Sequence, residues 1–216
     1  TINASLRRFS TLIAVSNYTK SLVGHIYHNI IVIPNGIDLE QFKLSKAQKI
    51  EIKGHPKLIT VGNVTDRKGQ LNVIRHLPEL LKDYPNIHYH CVGLPTQKDD
   101  FLKIAKSLDV DAHITFHGRV SDKDLQSFLV SSDIFVMLSS PTTSGDVEGF
   151  GIALLEANHF GLPCIGAKGC GIEDAINTGE SGLLIAINDT NAFVEGISQI
   201  LQHSSEFKKE AKKWAE

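Results

Sequence analysis

The chain has 216 residues, 42% of them hydrophobic and 21% charged, with a formal net charge of -2. That length can bury a full core in one large or two small domains, and so balanced a charge supplies no positive field for nucleic acid. No run of 18 or more apolar residues is present to span a bilayer, and an odd cysteine count (Cys91, Cys164 and Cys170), with two in apolar strand-like runs, points to reduced thiols in a cytoplasmic setting.

The amino terminus, Thr1-Ile2-Asn3-Ala4, has neither an initiator Met nor a signal-peptide layout, so the chain is expected to begin within a longer protein. Residues 11–15 read as a strand, with Ser16 capping a helix that runs to about Gly24. Pro34-Asn35-Gly36 is a turn by its residue chemistry. Apolar runs then recur at 57–61, 87–92, 113–116, 133–138, 163–165 and 183–185, with helical patterns between them. Parallel neighbours need a crossover connection, so this alternation predicts an α/β, doubly wound parallel sheet (Rossmann-like) over residues 38–200. Ser121-Asp122-Lys123-Asp124 reads as a capped helix start, and Gly161 before Pro163 as a helix stop. Residues 201–216 read as a basic, solvated surface helix that continues in the longer protein. A membrane-binding face would want a larger apolar side.

Two loops carry the chemistry. Gly62-Asn63-Val64-Thr65-Asp66-Arg67-Lys68-Gly69 follows the first strand of the domain, and ligands of doubly wound sheets bind at carboxyl strand ends. Asp146-Val147-Glu148-Gly149-Phe150-Gly151-Ile152-Ala153-Leu154-Leu155-Glu156 reads as a loop feeding a helix. Its glycines permit close approach to a ligand, and the free N–H groups of the helix start favour a phosphate. Were the whole stretch helical, Glu148 and Glu156 would stand roughly 12 Å apart along the axis, too far for a glycosidase pair at roughly 5 to 9 Å. The arrangement suits a ligand with hydroxyls at both ends and a diphosphate between them, the shape of a nucleotide-sugar.

Glu148 to Glu156 resembles the E-x7-E motif of retaining GT-B glycosyltransferases, and Glu-Gly-Phe-Gly followed by Leu155-Glu156-Ala157 resembles glycosyltransferase family 4. The resemblance extends to residues 32–38, the Gly62 to Gly69 loop, His117-Gly118-Arg119-Val120, residues 161–166 and residues 179–185. It implies the carboxy-terminal donor domain of a GT-B enzyme, with residues 1–37 the end of the amino-terminal domain and the linker. The implied activity is transfer of a hexose from a UDP- or GDP-linked donor to the hydroxyl of a saccharide or lipid-linked acceptor. Retention of configuration follows, without metal or further cofactor, in a cytoplasmic enzyme whose full-length form associates peripherally with the inner face of the membrane. Lys68 matches the lysine of the family's Lys-Gly pair, and an ammonium offsets the charge of a departing diphosphate. Glu148 is implied to contact donor-sugar hydroxyls, with the backbone of Gly149, Phe150 and Gly151 near sugar and phosphate. Glu156 is implied to bind the ribose, Leu155 to lie beside the nucleotide unless it is core, and the Val120 backbone to meet the base. The family usually has Gly-Arg where this chain has Gly62-Asn63. Either Arg67 replaces that guanidinium or the donor is held more weakly.

Other features have plainer explanations. Asp109-Val110-Asp111 matches an Asp-x-Asp metal motif but sits in a turn, where Asp is commonplace. His88 and His90 share one face of a strand with no further ligand spaced to complete a zinc site. Cys170, between two glycines, has no base nearby in sequence. Gly149-Phe150-Gly151 followed by Leu154 lacks the last glycine of a dinucleotide fingerprint. Two rivals to a transferase stay open at this level: a nucleotide-sugar epimerase of similar architecture, and a catalytically silent sugar-nucleotide-binding domain.

Overall fold

The structure is a computed structural model that describes residues 8–40, 42 and 47–216. The expectation about Thr1 to Ala4, and the part of the segment after Pro34 at residues 41 and 43–46, lie outside the described residues. Near the amino terminus β1 (Leu12–Ala14) and β2 (Ile30–Val32) pair in parallel across α1 (Asn17–Gly24). Ser16 and Thr19 form a reciprocal capping box at the start of α1, each backbone N–H donating to the other's hydroxyl at 3.0 Å. This helix is tied to the rest of the molecule, because the backbone and side-chain amides of Asn17 donate to the Asp174 carboxylate at 2.7 and 2.6 Å.

The main sheet has six parallel strands: β3 (Lys57–Val61), β4 (His88–Val92), β5 (Ile114–Gly118), β6 (Ile134–Met137), β7 (Cys164–Ala167) and β8 (Gly182–Ile185). Their order is β5-β4-β3-β6-β7-β8, so the winding reverses between β3 and β6. The crossovers are α2 (Gln70–Asp83), α3 (Lys98–Ser107), α4 (Asp122–Ser131) and α5 (Ile152–His159), followed by α6 (Thr190–Gln202) and α7 (Ser204–Ala215). Every residue of β4, β6 and β7 is buried, as a sheet covered on both faces requires. Alternate side chains feed two cores. Ile134 and Val136 meet α2, α3 and α6 through Leu77, Phe101 and Phe193, whereas Phe135 and Met137 meet α4 and α5 through Phe128 and Leu154.

α4 starts at the Ser121 cap, whose hydroxyl accepts the Asp124 N–H at 3.2 Å. α5 ends ahead of Gly161, which takes a left-handed φ of 72°. The basic terminal helix keeps its lysines at the surface yet also has a buried face: Phe207 and Ala211 are buried, and the Trp214 indole N–H donates to the Ala175 carbonyl at 3.0 Å. Cys91, Cys164 and Cys170 are all buried free thiols.

Candidate active site

The reversal between β3 and β6 leaves a crevice at their carboxyl ends, the place where open α/β sheets bind ligands. From β3 emerges the 62–69 loop. Gly62 lies in the left-handed half of backbone space with a φ of 145°, and the aliphatic stem of Lys68 covers it closely enough that a methyl group there would touch Lys68 Cε at 3.2 Å. Asp66 to Lys68 form a single 3-10 turn, closed by the Gly69 N–H on the Asp66 carbonyl at 3.1 Å. The fully buried Gln70 fixes the loop from below, its amide donating to the Asn63 carbonyl at 3.1 Å and its oxygen accepting the Thr65 N–H at 3.3 Å. Asn63 itself is exposed.

From β6 emerges the second loop, and Glu148 turns inward from it, its side chain 10% exposed. Lys68 Nζ lies 2.9 Å from a Glu148 carboxylate oxygen. Arg67 donates to the same oxygen through one terminal nitrogen, and its Nε reaches Asp146 at 2.9 Å. Arg67 therefore stands beside Lys68, on the same carboxylate. The Glu148 backbone carbonyl is held by the Gly171 N–H at 2.9 Å, from the loop after β7.

Glu148 lies outside the helix. Gly151, at a left-handed φ of 89°, is the N-cap, and α5 begins at Ile152, so the fully helical spacing between the two glutamates does not apply. The helix start has no side-chain cap, so N–H groups of its first turn are left without a side-chain acceptor. Phe150 and Leu155 are both buried among the residues packed between α4, α5 and the sheet, and Val120 packs at the edge of the same cluster. Glu156 is half-buried on α5; burial raises its pKa, the nearby Lys68 ammonium opposes that shift, and Asp122 reinforces it. Lys68 thus acts electrostatically on both glutamates, as the two loops bring them to one crevice.

Asp146, Gln70 and Gly171 belong to this site and were not singled out from the sequence. The available signal for Asp146 was its position two residues before Glu148, since alternate residues of a non-helical segment share a side. The remaining candidates lie elsewhere. Asp109 is in a turn with a φ of 55° and Asp111 opens a 3-10 turn. Among the described residues no three His, Cys, Asp or Glu side chains are grouped to hold a metal ion. His88 bonds the Thr115 hydroxyl at 2.8 Å, and His90 bridges the Lys53 carbonyl and His117, each at 3.0 Å. Burial pushes the Cys170 thiol up to about 11, away from a nucleophile's range. No helix among the described residues is long and apolar enough to cross a membrane.

Known proteins share both the sequence pattern and the fold. The GDP-mannose-dependent alpha-(1-6)-phosphatidylinositol monomannoside mannosyltransferase of Mycobacterium tuberculosis is 25% identical over 197 residues, covering 87% of this chain and 51% of that protein. A GDP-mannose-dependent monoacylated alpha-(1-6)-phosphatidylinositol monomannoside mannosyltransferase of Corynebacterium glutamicum is 28% identical over 214 residues, covering 91% and 55%. The chain thus spans about half the length of the curated relatives it matches. Among solved structures, sucrose-phosphate synthase from Thermosynechococcus elongatus superposes with a TM-score of 0.81 at 19% identity, over 99% of this chain and 55% of that one. Anabaena Alr3699/HepE in complex with UDP and glucose superposes at 0.74 and 19%, over 99% and 61%. The six-stranded unit is accordingly a Rossmann-like domain of the GT-B fold. The family model described as glycosyl transferases group 1 matches residues 42–216, so the chain belongs to that glycosyltransferase family.

Proposed function

We propose that this chain is the carboxy-terminal, donor-binding part of a retaining, family 4-like glycosyltransferase that moves a hexose from a UDP- or GDP-linked donor to a saccharide or lipid-linked acceptor hydroxyl. The observation that carries this is the convergence of Arg67 and Lys68 on Glu148 beside the uncapped start of α5. Two cations and a helix start form a receptor for a diphosphate. Glu148, buried against them, would accept hydrogen bonds from the donor sugar, and Glu156 from the ribose. As the sugar–phosphate bond breaks, negative charge grows on the diphosphate, and Lys68 offsets it more strongly than in the ground state. The departing phosphate would then take the acceptor proton, which leaves no separate base to supply on this side. The mannosyltransferase relatives favour GDP-mannose as donor.

Calorimetric titration with UDP and GDP tests the donor site. Lys68→Ala should weaken binding about ten- to hundredfold, the range for losing a hydrogen bond to a charged group. Affinity within twofold of the unaltered chain would remove Lys68 from the diphosphate. Transfer itself is read from free nucleotide released only when acceptor is present; release without acceptor would contradict a transferase.

A further inference from the structure

We propose that Asp146 is a positioning residue that holds Arg67 in reserve and so sets how tightly the site takes a diphosphate; this rests on the function proposed above. Arg67 uses two edges of its guanidinium. Nε faces Asp146 at 2.9 Å, and a terminal nitrogen faces Glu148, which also receives Lys68. Within this group of four side chains, two cations and two carboxylates cancel before a ligand arrives.

The two carboxylates are not equivalent. Glu148 is buried, with 10% of its side chain exposed, and is shared by both cations, whereas Asp146 is at the rim with 64% exposed. Asp146 is nevertheless presented in a defined way. Its N–H donates to the Thr142 hydroxyl at 3.0 Å, and its carbonyl accepts the Thr142 N–H at 2.9 Å, so a closed turn carries the carboxylate to Arg67. An exposed ion pair is weak and exchangeable, so Asp146 can yield the Nε edge to a phosphate while Glu148 keeps the other side. Ligand binding then becomes an exchange of anions on Arg67. Affinity is reduced by the strength of the pair it displaces, and a ligand with more charge than a carboxylate is favoured.

The test is calorimetric titration of the chain with UDP and GDP, with uridine and guanosine as uncharged controls. Asp146→Asn should tighten both diphosphates about two- to fivefold, the scale of an exposed ion pair, and leave the nucleosides unchanged. Asp146→Glu, which keeps the charge, should stay within about twofold of the unaltered chain. In an Arg67→Ala background the gain from Asp146→Asn should fall away. Without any ligand, phenylglyoxal should modify Arg67 faster in Asp146→Asn, as read by mass spectrometry of the peptide. If the unaltered chain binds UDP or GDP and Asp146→Asn binds it equally or more weakly, the proposal is overturned while the donor site stands. A gain that persists in full without Arg67, or an unchanged phenylglyoxal rate, also overturns it. Absence of UDP and GDP binding in every variant would instead overturn the function proposed above, and this proposal with it.

Discussion

Gly171 lies directly against Gly149. Its N–H donates to the neighbouring Glu148 carbonyl at 2.9 Å, and a methyl group at position 171 would sit 1.9 Å from the Gly149 carbonyl oxygen. The loop after β7 is thus a floor for the loop that carries Glu148, and only a bare backbone fits there. Gly171→Ala should force the two loops apart. Overpacking of this kind costs about 1 to 3 kcal/mol, or roughly 3 to 10 °C of Tm for a chain of this size. Thermal melts and UDP or GDP titration should show a loss in both; an unaltered Tm would mean that the contact relaxes freely.

Glu156 has a raised pKa because burial disfavours its charge. Between the ordinary carboxylate value and the raised one, the folded chain holds a proton that the unfolded chain has released. The destabilising effect of Glu156 therefore grows as pH rises through that window and is complete above it. Glu156→Gln should raise the Tm of the ligand-free chain at pH 7, with the advantage disappearing on acidification below about pH 4. The same variant should weaken UDP or GDP binding if the carboxylate holds the ribose. A lower Tm at pH 7 would show that Glu156 is stabilised in ways its burial does not reveal.

The histidines of β4 and β5 make an acid-sensitive patch. His88 and His90 lie ring to ring at 4.8 Å, and His117 stacks on His90 at 5.2 Å and lies tilted against Phe128 at 4.3 Å. Burial lowers His88 to about 4, helped by His90, Lys53, His113 and His117, and burial with His90 lowers His117 to about 4. A depressed folded pKa means that the unfolded chain binds protons first, so stability is complete above about pH 6.5 and is lost as pH falls toward 4. The Tm should drop between pH 7.5 and pH 5.0, and His117→Gln should flatten that dependence. Parallel curves for the variant and the unaltered chain would exclude His117 as a contributor.

Asn63 is exposed on the same loop as Arg67, whose guanidinium is already engaged by Asp146 and Glu148. Asn63→Arg should add uncommitted positive charge and tighten UDP and GDP binding several-fold at low salt, with the gain shrinking as ionic strength rises. An unchanged Kd at low salt would place position 63 beyond the reach of the phosphates.

The strands and caps were legible because they depend on local chemistry. Each strand of the main sheet is a short apolar run, and Ser16 and Ser121 precede their helices in the spacing that capping demands. Lys68 and the two glutamates were singled out through motif wording. Their electrostatic partners were not. Arg67 and Glu148 are 81 residues apart, and no periodicity within either loop encodes their distance. Leu155, read as core or as a neighbour of the nucleotide, is buried in the cluster that also holds Leu154 and Ala157. The helix start was legible too: the loop-to-helix reading placed it near Gly151, and Gly151, in a left-handed conformation, is the N-cap of the helix that begins at Ile152.

Because Arg67, Lys68 and Glu148 come from opposite sides of the winding reversal, the crevice depends on chain closure. It exists only when β6 is docked alongside β3, a contact of long sequence separation that costs loop-closure entropy. A ligand held by both loops would act as a clasp across that seam, opposing any opening that parts the β3–β5 half from the β6–β8 half. At a hundred times its Kd such a ligand would stabilise the chain by about 2.7 kcal/mol, so nucleotide occupancy and the closure of this sheet would report on one another.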